Sequence, residues 1–346
     1  LTSDRNREVL PGLDVDRLAA WLADVEPDLL AGPLTGRLIA GGRSNLTYEI
    51  SDGRSAWIVR RPPLGHVLAT AHDMSREYRV MTALAGTGVP VPATYTLCED
   101  PGILGAPFYL MERVIGTPYR AAAELTAVGA DRTRTISTGM ADALAALHTV
   151  VPAEVGLADF GRPNGFLARQ VHRWKKQLDA SRSRELPDAD ALYGKLAAHQ
   201  PPQSPDGIVH GDYRLDNILM DSGDRVVAVI DWEMATLGDP LTDVALLLLY
   251  HRIGEIGVTG LSDVALAPGF LTEAELLDRY AERSGRDLAH FGFYLGLAAF
   301  KLAAILEGIH YRHLHGQTVG SGFETVGSGV EPLLRIGIEA LDDNSR

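Results

Sequence analysis

Residues 208–243 read IVHGDYRLDNILMDSGDRVVAVIDWEMATLGDPLTD, and this stretch constrains the fold more than any other. Asp212 follows His210 and Gly211, Asn217 lies five positions on, and Asp231 ends the apolar run 226–230. A short apolar run rich in β-branched residues and bounded by turn formers reads as a buried strand. An Asp, an Asn and a second Asp at a strand end are hard oxygen ligands suited to Mg²⁺ on the phosphates of a nucleotide. Phosphoryl transfer asks a protein for positioning and charge neutralisation rather than covalent chemistry. Asn217 and Asp231 suit the metal, while Asp212 is left to accept the proton of an attacking hydroxyl. Each residue alone is an ordinary turn former. Their joint occurrence around one strand carries the chemical reading.

The spacing His-x-Asp-x-x-x-x-Asn is the catalytic-loop spacing of protein-kinase-like folds. HGDYRLDNILM followed by VIDWEMATLGDPLTDVA resembles the aminoglycoside phosphotransferase and choline kinase superfamily, whose pattern is HGD, four residues, N, then ID[WF]. Within it, the chain is most similar to the kinase-like domains related to those fused to some acyl-CoA dehydrogenases. The resemblance implies a two-lobed α+β fold. Residues 1–113 would form a small N-terminal lobe with a leading helix and an antiparallel nucleotide-binding sheet, and residues 114–346 a larger, mainly helical C-terminal lobe. It makes Asp212 the catalytic base, Asn217 and Asp231 the Mg²⁺ ligands, and Asp239 and Asp243 buried braces, although Asp239 in GDP also reads as a turn or cap. ATP or GTP would be the donor and a small-molecule hydroxyl the acceptor. A nucleotide-binding pseudoenzyme or regulatory module is the alternative, which an arginine at position 60 permits and the intact Asp212, Asn217 and Asp231 disfavour.

Composition narrows the partners. With 46% hydrophobic and 22% charged residues the 346-residue chain is an ordinary globular one. A net charge of -13 argues against a nucleic acid or an anionic membrane as the main partner, since both call for a basic surface. Cys98 is the single cysteine, which excludes an intrachain disulfide and a thiolate zinc cluster. The polar start LTSDRNREVL lacks the apolar core of a signal peptide, and the apolar run 244–250 is too short to span a bilayer. A cytoplasmic enzyme is the expectation.

Ahead of the central stretch, residues 15–25 place Val15, Leu18, Ala19, Leu22 and Val25 on one helical face, with Asp14 as cap. GRLIAGGRSNLTYEI supplies two strands and a turn in which Gly42, Ser44 and Asn45 either approach phosphates or simply close a hairpin. In the next strand, 56–61, alternation puts Ile58 and Arg60 on one face, with Ile58 on the base and Arg60 where the superfamily usually has a phosphate-binding lysine. Arginine carries a fork rather than a point charge, so the substitution matters. Arg61, on the other face, is expected in solvent. The helix 73–85 sets Glu77 beside the apolar stripe of Met74, Tyr78, Met81 and Leu84, where pairing with Arg60 would offset its burial. In the strand 107–114, similarity to other kinases implies Met111 beside the base and the backbone of Glu112 and Val114 at its polar edge.

Downstream, helices are expected over 136–148, 166–180, 272–284, 288–313 and 331–341. In the second, Arg169, Arg173 and Lys176 recur at helical spacing. They read either as a solvated face or as a pocket for an anionic or acyl-CoA-like acceptor. Glu233, His310 and Arg312 are further acceptor-contact candidates. The paired TVGSG segments at 318–322 and 325–329 read as flexible loop.

Overall fold

The computed structural model of the chain describes residues 10–39, 45–65, 73–256, 262–318 and 323–343. Its first helix, α1 (Val15–Val25), is capped by Asp14, whose carboxylate accepts from the amides of Asp16 and Arg17 at 3.1 and 3.0 Å. Leu18 and Leu22 of α1 are buried against a five-stranded antiparallel sheet. The strands are β1 (Thr35–Leu38), β2 (Leu46–Ser51), β3 (Ala56–Arg61), β4 (Thr94–Cys98) and β5 (Phe108–Glu112), in the order β1-β2-β3-β5-β4. Helix α2 (Met74–Leu84) also packs on this sheet, its N-terminus capped by Asp73.

Period-two alternation decides what β3 presents. Trp57 and Val59 join Tyr48, Ile50, Phe108 and Leu110 in the core under α1 and the short helix α3 (Pro101–Leu104). Arg61 has the same parity, and here the expectation of a solvated side chain fails. It is 4% exposed and donates to the carbonyls of Gly12 at 2.6 Å and Leu104 at 2.7 Å. The leading helix and α3 roof the face that alternation alone leaves open, and the carbonyls at their ends satisfy the guanidinium that they cover.

Two compact units emerge from the backbone contacts. One holds Leu1–Gly86, Val91–Ile115 and Asp231–Glu233; the other holds Thr87–Pro90, Gly116–Ile230 and Met234–Arg346. In the second, α4 (Ala122–Val128) leads into α5 (Ala130–Thr149), followed by α6 (Phe166–Ser181) and α7 (Pro187–Ala198). Two ribbons then form. β6 (Gly207–Val209) pairs with β9 (Thr236–Gly238), and β7 (Ile218–Met220) pairs with β8 (Val226–Val229). Helices α8 (Leu241–Ile256), α9 (Glu273–Ser284), α10 (Phe291–Leu314) and α11 (Val330–Asp343) complete it.

The expected capping box opens α9, with Thr272 and Glu275 exchanging hydrogen bonds. α10 is long and apolar enough to cross a membrane by length and composition, yet 72% of its apolar window is buried inside the protein. It packs on α6, α7, α8 and α11. Gly296 and Gly337 let α10 and α11 approach closely, because a Cβ on Gly296 would lie 3.2 Å from the Gly337 carbonyl. α7 has no counterpart among the sequence expectations, since only Ala189, Leu192 and Leu196 form its buried stripe. The second TVGSG copy is not a flexible loop. Val326–Gly329 is a 3₁₀ turn with Val326, Gly327 and Gly329 buried, while most of the first copy lies outside the described residues.

Candidate active site

The loop after β6 is held by a carboxylate from the helix that follows β9. Asp243, in the first turn of α8, accepts from the amides of His210 at 2.6 Å and Gly211 at 2.8 Å. Burial alone would raise this carboxyl, but the His148 ring and the Gly211 amide hold it below the usual range. The His148 ring lies 3.3 Å from Asp243 through Nε2 and 2.8 Å from the Tyr280 hydroxyl through Nδ1. Burial pushes that imidazole down, consistent with a neutral ring donating to Asp243 and accepting from Tyr280. Asp239 braces a neighbouring turn, accepting from Ser204 and from the Tyr294 hydroxyl.

Within the loop, His210 Nε2 lies 3.0 Å from the Ile230 carbonyl, and the Asp212 amide donates to His210 Nδ1 at 3.3 Å. Both bonds are satisfied by the Nε2–H tautomer. Gly211 has φ +84, and a Cβ there would come within 2.8 Å of the Met234 backbone. Only glycine tolerates both conditions. Asn217 donates through Nδ2 to the Asp212 carbonyl at 2.9 Å and to its carboxylate at 3.1 Å. With its nitrogen committed to Asp212, the amide oxygen is the donor atom left for a cation. Arg214 stands 3.5 Å from the Asp212 carboxylate and 3.0 Å from Asp216. Ile230 donates to the Asn217 carbonyl at 2.9 Å, so the end of the second ribbon is tied to the same loop.

The unit that contains the five-stranded sheet holds a second cluster. Glu77, 1% exposed, meets Arg60 Nε at 3.1 Å, the Tyr109 hydroxyl at 2.9 Å and Asn45 Nδ2 at 3.0 Å. Arg60 Nη2 stands 2.5 Å from Asp231, and Asn45 also donates to Glu233 at 3.1 Å. Burial pushes the Glu77 carboxyl up to about 7 against the pull of Arg60. Burial pulls the Arg60 guanidinium down, but the negative groups around it reverse this and hold it above its ordinary value. Asp231 itself has φ +67, an uncommon conformation outside glycine that recurs at functional positions.

Other expected site residues fall as follows. Ile58 and Met111 are paired across β3 and β5, both buried. The Glu112 amide donates to the Ala93 carbonyl at 2.7 Å, so it already has a partner within the sheet; Val114 is half-buried just beyond the strand. Gly42 and Ser44 lie outside the described residues. Arg169 donates to the carbonyls of Arg162 and Asn164, closing its own loop. Arg173 lies over the Trp174 ring at 5.2 Å. Glu233 joins the Arg60 cluster through Asn45, His310 packs on Gly327, and Arg312 is exposed. Tyr109 and Lys301 were not anticipated. Tyr109 is one apolar-looking residue in a strand, whereas Lys301 is legible as the sole lysine of α10.

Comparison with known proteins gives these sites a family context. The sequence model of the phosphotransferase enzyme family matches residues 35–294. Mouse acyl-CoA dehydrogenase family member 10 is 34% identical over 326 residues, 93% of this chain and 30% of that protein. Chicken acyl-CoA dehydrogenase family member 11 is 34% identical over 90% of this chain and 41% of its own length. The chain therefore spans less than half of either relative. A crystal structure from Ralstonia eutropha JMP134, provisionally called an aminoglycoside phosphotransferase, superposes with a TM-score of 0.84 at 35% identity, covering 95% of this chain and 98% of that one. The aminoglycoside phosphotransferase APH(4)-Ia, solved with AMP-PNP and hygromycin B, gives a TM-score of 0.61 at 15% identity over 93% of this chain and 98% of its own. The latter is a likeness of fold, and the fold is the protein-kinase-like α+β fold.

Proposed function

Because the chain belongs to the phosphotransferase enzyme family, we propose that it transfers the γ-phosphoryl group of ATP, or of GTP, to a hydroxyl of a small molecule in the cytoplasm. The observation that carries this reading is the Asn217 amide on Asp212, which orients a carboxylate whose loop Asp243 clamps from behind. In the proposed reaction Asp212 takes the acceptor's proton as its oxygen bonds to the γ-phosphorus. The bond to the bridging oxygen breaks and the nucleoside diphosphate leaves. The oxygens of Asn217 and Asp231 are the hard donors that Mg²⁺ requires, and these two residues would hold it. The bound ion would neutralise charge on the phosphates. Arg60, oriented by Glu77, would grip the α and β phosphates, with Ile58, Met111 and the backbone near Val114 on the base.

On the acceptor side, Lys301 brings a cation to the catalytic loop through the Gly211 carbonyl, and Arg173 lies against the same Trp174 ring as Lys301. That favours an anionic acceptor over a polycationic aminoglycoside. Because relatives that carry this stretch are named acyl-CoA dehydrogenase family members, hydroxyacyl coenzyme A esters are the first acceptors to try.

The test is a thermal-shift panel of ATP and GTP with and without Mg²⁺, followed by a transfer screen over hydroxyacyl coenzyme A esters, small alcohols, amino sugars and choline-like amines. Magnesium-dependent stabilisation with Asp212-dependent transfer supports the reading. Nucleotide binding without transfer to any acceptor would leave a regulatory nucleotide-binding module, the reading favoured by Arg60 lying on Asp231.

A further inference from the structure

Lys301 is an anomaly in α10. It is the sole lysine of a 24-residue apolar helix, and its ammonium donates to the Gly211 carbonyl at 2.9 Å. The same ammonium lies over the Trp174 ring, 5.7 Å away. The carbonyl that it holds belongs to the peptide whose nitrogen is that of Asp212, and that amide is itself bonded to His210 Nδ1 at 3.3 Å. The preceding peptide is fixed by Asp243 through the Gly211 amide at 2.8 Å. Two successive peptide planes therefore have external partners, one from Asp243 of α8 and one from Lys301 of α10.

Placing an ammonium here carries a cost, because Lys301 is half-buried and partial burial disfavours its charged form. Burial does pull the Lys301 ammonium below its ordinary value, with Asp212 and Asp243 opposing and Arg173 adding to the shift. An apolar side chain would suit the helix better. What it would lose is a strong, directed donor at the one peptide that sets the direction of Asp212.

We propose that Lys301 is a positioning residue for the phosphotransfer reaction, orienting Asp212 by clamping the Gly211 carbonyl. This rests on the reading of Asp212 as the base. A base displaced by about 1 Å loses about a hundredfold in rate while the bound nucleotide is unaffected.

The experiment compares the wild type with Lys301→Met, Lys301→Gln and Lys301→Arg, and uses Asp212→Asn as the reference. The probe is Mg·ATP, with phosphate released to water as the rate, the nucleotide-induced thermal shift as the binding readout, and amide hydrogen exchange of the peptide covering residues 207–216. Lys301→Met is expected to lower kcat about a hundredfold with KM for ATP within twofold, and to speed exchange in that peptide. Lys301→Arg, which keeps the charge and the donors, is expected to recover most of both. If Lys301→Met does not fold, Lys301→Gln carries the same comparison. Equal kcat and equal exchange in wild type and Lys301→Met would overturn the proposal while leaving the base intact. Phosphate release that Asp212→Asn does not diminish would remove the underlying reading, and the role of Lys301 with it.

Discussion

The Arg60 guanidinium bridges two carboxylates at once, Glu77 at 3.1 Å through Nε and Asp231 at 2.5 Å through Nη2. A lysine ammonium also has donors for two partners, but it is a compact point charge without the fixed planar fork that sets the direction of both bonds. The fork thus suits arginine to the position where the resemblance seen in the sequence implies a lysine. It also ties a proposed phosphate ligand to a proposed metal ligand. Arg60→Met should leave Glu77 buried without its cation and cost about 3–5 kcal/mol of stability, as a broken buried pair does. Arg60→Lys keeps the charge and should cost less, with weaker nucleotide binding. Urea unfolding of both variants checks this. If Arg60→Met were as stable as the wild type, the pair would hold nothing together.

Gly211 connects the backbone to the chemistry. Gly211→Ala places a methyl in a left-handed conformation and within 2.8 Å of Met234 backbone atoms. The conformation alone costs about 1–3 kcal/mol, and relief of the clash must move the Asp212 peptide. Turnover should fall at least about tenfold, with a lower melting temperature. An active, fully stable Gly211→Ala would mean that the loop tolerates a shift of its base.

The basic helix was ambiguous in sequence, and the structure separates its members. Arg169 binds its own loop carbonyls, and Lys175 pairs with Asp179 at 2.6 Å, whereas Arg173 faces Trp174. For an anionic acceptor, Arg173→Glu should raise the acceptor KM about tenfold or more and leave KM for ATP unchanged. Lys175→Glu should change neither. Steady-state kinetics with the acceptor found in the transfer screen decide between them. Identical acceptor KM in wild type and Arg173→Glu would return the whole helix to the solvent.

Much of this architecture was visible in the residues. Alternation defined β3, Asp14 announced α1, and the Thr272 and Glu275 pair announced α9, because each is a local rule that tertiary packing reinforced. The spacing of Asp212 and Asn217 marked both as site residues but suggested side chains facing apart, whereas the loop folds back so that the Asn217 amide donates to the Asp212 carbonyl and carboxylate. What stayed hidden depends on distant chain. Arg61 is buried by helices roughly forty residues to either side, Tyr109 completes the Glu77 site from another strand, and Lys301 reaches Gly211 across 90 positions. Glu77 shows the boundary. Its place on an apolar stripe pointed to a buried partner, but nothing local could reveal that there are three.

His251 gives the sharpest prediction for pH. It is buried in α8 edge-on to Phe270, its Nε2 has no hydrogen-bond partner among the described residues, and burial pushes its imidazole down to about 4 despite Glu273. The ordinary value of an unfolded histidine is about 6.5, so between these limits the unfolded chain binds more protons than the folded one. Stability from this group is therefore present above about pH 6.5 and lost as pH falls towards about 4. A shift of this size is worth up to about 3 kcal/mol, since each pH unit corresponds to about 1.4 kcal/mol. His251→Phe keeps an aromatic ring against Phe270 and removes the titration. Urea unfolding of both proteins at pH 4.5, 5.5, 6.5 and 7.5 isolates the histidine as the difference between two curves, because other buried groups titrate in both. The variant should gain on the wild type steadily below pH 6.5. Parallel curves would show that the His251 imidazole is protonated as easily in the folded protein as in the unfolded chain, and that water reaches a ring which the packing otherwise closes off.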